Sequence, residues 1–172
     1  MYLTNVFSEL QSGQYPSVCE EKSNQQKDFF EVMNFHPYSL KTGEIDEGWL
    51  QGQKRLHAVM QSFGVEDMPV WYTEFGWSDF ARDSEKELIG GRFLKAFEVV
   101  NQELPFVKKI FLFRLCTLAD RLECEGEDNF GLTYNVFDEA HSGEPKPVAI
   151  ALAKYINGDD YDVSRLYKFA RK

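Results

Sequence analysis

The sequence predicts an α/β chain built of parallel βα units, and three observations carry that prediction. Short apolar strands alternate with longer stretches of helical periodicity. The strand ends recur at a near-constant interval, 38 positions from His36 to Glu74 and 40 from Glu74 to Arg114. One strand is a near-continuous apolar run of the kind found in parallel sheets covered on both faces. Strand, helix, strand, helix, strand at this period describes right-handed crossover units, which both a doubly wound sheet and a (β/α)8 barrel satisfy. A complete barrel needs about 250 residues, with roughly 200 as the lower end, and this chain has 172. It holds three clear units, with room for a fourth before Phe29, and is too short for a whole barrel. One domain is expected over 1–172, with a core over 29–156, a polar loop over 120–146 and a tail over 159–172.

The first strand is Phe29–Phe35, running into His36-Pro37-Tyr38. Pro37 lacks a backbone donor and biases His36 toward extended geometry, so the strand ends there. A helix follows over Asp46–Phe63, because Trp49, Leu56, Val59, Met60 and Phe63 recur on one helical face and Gly64 supplies a stop. The second strand is Pro69–Phe75, closed by Gly76. Ser84 and Glu87 have the spacing of a capping box for the next helix, whose apolar stripe is Ile89, Phe93, Ala96, Phe97, Val100 and Leu104 before Pro105 ends it. The third strand is Lys109–Leu115. After the polar stretch, Pro147 opens a last helix to Ile156 from the favoured first-turn position, and Gly158 follows it.

Fifteen Phe, eight Tyr and three Trp exclude a disordered or fibrous chain. A formal charge of -9 argues against a nucleic-acid partner, which needs a basic face. Cys19, Cys116 and Cys124 contain no CxxC pair, so neither a disulfide framework nor a zinc knuckle is expected, and unpaired thiols favour a cytoplasmic setting. No apolar run reaches the length of a membrane span, and Met1–Leu10 lacks the basic-then-apolar order of a signal peptide. No glycine-rich phosphate loop follows any strand. No cofactor or metal is expected.

Functional residues of parallel α/β folds gather at the C-terminal ends of the strands. Glu74 is the informative one here, since a carboxylate ending an apolar strand is costly to bury unless paired or hydrogen-bonded. It either salt-bridges to a surface cation or serves a site. Trp71, Tyr72, Phe75 and Trp77 flank it, and aromatic faces beside a carboxylate suit the C–H face of a sugar, although aromatics near strand ends also fill cores.

Three segments carry a family resemblance. PVWYTEFGWS resembles the strand-seven signature of clan A glycoside hydrolases, VMNFHPYS is similar to their strand-six signature, and DNFGL at Asp128–Leu132 followed by Lys146-Pro147 resembles their ending after strand eight. In the right order and spacing, they cover about Phe29 to Ile156. The resemblance implies the C-terminal part, about strands six to eight, of a TIM (β/α)8 barrel acting on an oligo- or polysaccharide by a retaining mechanism. Glu74 would be the nucleophile, Tyr38 would hydrogen-bond its carboxylate, and His36 would bind sugar hydroxyls. Trp77, Phe113 and Arg114 complete the implied substrate-binding set, Phe113 or Arg114 taking the place of a strand-eight Trp that this sequence lacks. His57 and His141 receive no role.

The resemblance also implies a general acid/base Glu following Asn on strand four, upstream of everything present. None of Glu9, Glu20, Glu21, Asp28, Glu31, Glu44, Asp46, Glu47, Glu66 and Asp67 follows an Asn at the end of an apolar strand. Retaining hydrolysis needs two carboxylates about 5–5.5 Å apart, so the chain alone is expected to be inactive. The missing N-terminal half-barrel, or a second copy in a homodimer, is the expected partner, because a partial barrel leaves sheet edges open. The alternatives are a non-catalytic carbohydrate-binding or assembly module derived from such a barrel, and an unrelated doubly wound domain in which Glu74 is structural.

Overall fold

The computed structural model describes residues 2–12, 30–38, 45–78, 83–115, 130–135 and 140–169. Its elements, in chain order, are α1 (Tyr2–Ser12), β1 (Met33–Phe35), α2 (Glu47–Ser62), β2 (Val70–Phe75), α3 (Asp83–Glu103), β3 (Val107–Leu112), α4 (Pro147–Asn157) and a 3-10 helix over Val163–Phe169. The strands form one sheet in the order β1-β2-β3, with both neighbouring pairs parallel. This is the α/β architecture that the strand period predicts. Among the described residues, no helix is long and apolar enough to cross a membrane. All three cysteines lie outside the described residues.

The helices form as their sequences dictate. Asp46 caps α2, its Oδ1 accepting from the Trp49 backbone N–H at 2.7 Å, a contact worth about 1 kcal/mol. Trp49, Gln53, Leu56 and Met60 make the buried stripe, and Gly64 takes φ 71° just past the end, as a C-terminal stop requires. On α3, Ile89, Phe93, Ala96 and Val100 are buried, as is Leu104 just past its end. That helix already includes Ser84, so the residue expected as its cap falls within the first turn; the side chains of 83–87 lie outside the description. Pro147 opens α4, and Gly158 closes it at φ 97°. Gly90 lets α4 approach closely, because a Cβ there would meet the Ala151 Cβ at 2.8 Å.

Helices α2 and α3 cover one face of the sheet. Tyr72 and Phe75 of β2 are both 0% exposed, packed against Trp49 from α2, with Phe75 also against Phe93 from α3. Burial of each such side chain stabilises by about 1.5–3 kcal/mol. The buried Gln53 amide answers the Tyr72 hydroxyl, which donates to its Oε1 at 3.1 Å. Phe7 of α1, a helix that sequence periodicity did not reveal, is fully buried against Phe63 and Phe30.

Two strands differ from expectation. β1 is confined to three residues and, among the described residues, pairs only with β2. β3 begins and ends earlier than Lys109–Leu115 and is not covered on both faces. Lys108 and Lys109 are exposed and Phe111 is 46% exposed. The reason is that no layer among the described residues covers the side of the sheet away from α2 and α3. There Trp71 and Phe111 face each other at 5.9 Å, with the Lys109 ammonium 4.2 Å above the Trp71 ring.

The described part of the polar loop has defined work. Arg114 N–H donates to Phe130 O, and Leu132 N–H donates to Arg114 O. This is the spacing of a parallel ladder, so 130–132 runs alongside the C-terminal end of β3. A Thr133–Pro145 bridge and Tyr134 N–H to Glu144 O then turn the chain back toward α4.

Candidate active site

Glu74 owes its position to an irregularity in β2. Strict alternation would turn it to the helix-covered face with Tyr72. The register against β3 instead shifts between Tyr72 and Phe75, returning Phe75 to the core and leaving Thr73 and Glu74 half-exposed. Such a shift re-aims a side chain beside a site. Gly76 then allows the ends of β2 and β3 to close up. A Cβ there would lie 2.5 Å from the Phe113 carbonyl oxygen and 3.1 Å from the Phe130 ring, distances that exclude any larger residue without movement.

Residues 36–38 come to Glu74 from β1. Tyr38 N–H donates to His36 O at 3.0 Å, a three-residue turn whose central φ Pro37 already favours. The turn is pinned from below by the buried Trp49, whose Nε1 donates to Pro37 O at 2.8 Å. The Tyr38 hydroxyl donates to Glu74 Oε2 at 2.9 Å. His36 Nδ1 lies 3.4 Å from that same oxygen, and its Nε2 is 3.0 Å from Thr73 Oγ1. Glu74 Oε1 makes no hydrogen bond among the described residues. Among the described residues one carboxylate oxygen is held and the other is not, in a side chain 37% exposed beside a His36 that is 47% exposed.

An aromatic wall continues from Tyr38. Its ring meets Phe130 at 5.6 Å and Phe113 at 6.4 Å, both edge-on, and those two rings meet each other at 5.8 Å. The Arg114 guanidinium stacks over Phe113 at 4.5 Å. The structure thus brings His36, Tyr38, Glu74, Phe113 and Arg114 to one end of the sheet. Trp77 is placed differently. It is 6% exposed, edge-on to Phe75 and Phe93, and fills the core instead of offering a ring face. Trp71, the other tryptophan flanking Glu74, points to the open side with Phe111. Phe130 and Thr73 are contacts that sequence reasoning missed. The DNFGL segment contained the signal for Phe130, but nothing local marked Thr73. His57 stacks on Phe106 at 4.2 Å and bonds Glu66 O, and His141 stacks on Tyr134 at 4.5 Å.

No protein-family model matches the sequence, and neither does any curated protein. Solved structures share its fold, two among them at similar scores. The GH39 enzyme from Xanthomonas axonopodis pv. citri superposes with a TM-score of 0.57 at 17% identity, over 91% of this chain and 30% of that one. A monomeric beta-xylosidase from Caulobacter crescentus CB15 superposes with a TM-score of 0.55 at 14% identity, over 91% of this chain and 31% of that one. The chain therefore spans about a third of the length of these relatives in structure. What it shares with them is a fold: three consecutive parallel βα units forming part of a (β/α)8 barrel.

Proposed function

We propose that the chain is the nucleophile-bearing part of a retaining glycoside hydrolase, with Glu74 as the nucleophile. The observation that carries this reading is the asymmetric hold on Glu74: Tyr38 donates to Oε2 while Oε1 accepts no hydrogen bond among the described residues. In the proposed reaction Oε1 attacks the anomeric carbon as the bond to the leaving oxygen breaks, forming a glycosyl ester. The Tyr38 hydroxyl holds the carboxylate in line and supports its ionised form. His36 offers a ring nitrogen to a sugar hydroxyl, and the rings of Phe113 and Phe130 offer apolar surface to the sugar's C–H face.

The leaving oxygen needs a proton, and the second carboxylate comes from βα units outside this chain. Glu9, Glu31, Glu47, Glu66 and Asp67 are all exposed and belong to other parts of the fold; Glu47 instead accepts from Gln51 one turn along α2. Glu20, Glu21, Asp28 and Glu44 lie outside the described residues. The uncovered side of the sheet, with Trp71 and Phe111 half-open, supports assembly with those further units.

The test is mass spectrometry and hydrolysis assays with activated aryl glycosides, xylosides first because a fold relative is a beta-xylosidase. An activated leaving group needs little protonation, so the expected result is a glycosyl adduct on Glu74, absent in Glu74→Gln. Turnover of ordinary alkyl glycosides should be slower than in a complete site by about 10²–10⁴-fold, the usual contribution of a general acid. The absence of any adduct overturns the nucleophile assignment. Robust turnover of unactivated substrates, abolished in Glu74→Gln, would place the general acid within this chain, with Glu44, Asp120 and Glu123 the first to examine.

A further inference from the structure

Resting on the glycosidase reading of this site, we infer that Thr73 is a positioning residue: its hydroxyl locks His36 into the tautomer whose Nδ1–H faces Glu74 and the sugar. Among the described residues the Thr73 hydroxyl meets one side chain, the His36 ring, with Oγ1 3.0 Å from Nε2. On the other side of that ring, Nδ1 lies 3.4 Å from Glu74 Oε2. Thr73, His36 and Glu74 therefore form a line of three side chains with the histidine in the middle.

A neutral imidazole carries one N–H and one bare nitrogen, and the partners of the two nitrogens decide which is which. A bare Nδ1 would turn its lone pair on a carboxylate oxygen, a repulsion that grows as the cleft is closed to water. With the proton on Nδ1 that contact is attractive, and Nε2 becomes the acceptor. The Thr73 hydroxyl can rotate to donate to it, whereas a carbonyl in its place could only accept and would enforce the opposite form. His57 shows the contrast: its Nε2 faces Glu66 O at 3.2 Å, so its proton sits on Nε2. The 3.4 Å from His36 Nδ1 to Glu74 Oε2 is longer than a fully made hydrogen bond. Glu74 therefore does not use up the N–H, and a sugar oxygen entering the site can accept from it. The ring is 47% exposed and its backbone is anchored by Tyr38 N–H to His36 O, which leaves Thr73 to set its rotation.

The experiment is NMR of the histidine ring nitrogens in the full chain at about pH 8.5, above the usual histidine pKa. It compares the wild type, Thr73→Val and Thr73→Ser, with His36→Asn to identify the signals. Valine keeps the branched shape that suits a strand, and serine keeps the hydroxyl. In the wild type His36 should show a protonated Nδ1 and a bare Nε2, the reverse of His57 in the same spectrum. Thr73→Val should lose that pattern and slow the glycosylation of Glu74 by an activated aryl xyloside roughly two- to tenfold, the effect of one neutral hydrogen bond. Thr73→Ser should restore both. A protonated Nε2 on His36 in the wild type overturns the inference, and that spectrum stands whether or not the variants fold. A nitrogen pattern or an adduct rate unchanged in Thr73→Val also overturns it. If no adduct forms even in the wild type, the glycosidase reading falls and Thr73 loses its part in it, while the nitrogen signals still decide whether Thr73 sets the tautomer.

Discussion

Tyr38 and Glu74, separated by 36 positions in sequence, meet through a 2.9 Å hydrogen bond between ends of adjacent parallel strands. The bond depends on the Pro37 turn and on Trp49, which fixes the Pro37 carbonyl from α2. Tyr38→Phe removes a hydrogen bond to a half-exposed carboxylate and should cost about 1 kcal/mol of stability. Adduct formation at Glu74 should slow by more than that loss of stability accounts for. Urea unfolding and adduct mass spectrometry on the same preparation separate the two effects.

Gly76→Ala tests the close approach of the strand ends. Its Cβ must displace the Phe113 carbonyl, at 2.5 Å, or the backbone that carries it. Overpacking of this kind costs about 1–3 kcal/mol. The expected result is a lower urea midpoint with an unchanged slope, together with altered ring shifts of Tyr38, Phe113 and Phe130.

Burial pushes the Tyr72 phenol above its ordinary value of 10.0, which links it to alkaline stability. The fold favours the protonated form, so its contribution is complete below pH 10. As pH rises past that value, the unfolded chain releases its proton first and stability falls, by up to about 1.4 kcal/mol per pH unit for one group. Tyr72→Phe loses the bond to Gln53 at neutral pH, a cost of about 1–3 kcal/mol, but it also loses that alkaline slope. Urea unfolding at about pH 8 and about pH 11 should show the gap between wild type and variant narrowing. A gap that stays constant contradicts the link.

The uncovered side of the sheet predicts self-association or weak stability. Trp71 is half-buried, Phe111 is 46% exposed, and among the described residues β1 and the lower part of β3 each have an unpaired edge, a combination that invites pairing. Light scattering should find a dimer or growing aggregates as concentration rises, with Phe111→Lys reducing both. A monomer that unfolds cooperatively at a midpoint independent of concentration contradicts this.

Much of the frame could be read from the sequence because it rests on local signals. Helical stripes, the Asp46 cap, the Pro147 start and the 38-residue spacing of His36 and Glu74 each record a short-range constraint, and together they yield the parallel sheet. What could not be read depends on contacts between distant segments. Trp77 has the composition of a sugar platform but is drawn into the core by Phe93, a helix residue 16 positions away. The register shift that turns Glu74 outward arises from pairing with β3 and has no sequence signature. The apolar run of β3 suggests two covered faces, yet only the helix side has a covering layer among the described residues. Helix α1 depends on Phe7 finding Phe63 and Phe30.

The short ladder between Arg114 and residues 130–132 governs how β3 can be extended. Arg114, at the upper end of that strand, is already paired with 130–132, while among the described residues no second strand flanks Val107–Leu112 on the side away from β2. An incoming strand can slide upward only until it meets Phe130. The segment therefore works as an end-stop that sets the alignment of a newcomer, and the same ring that halts it forms part of the wall beside Glu74.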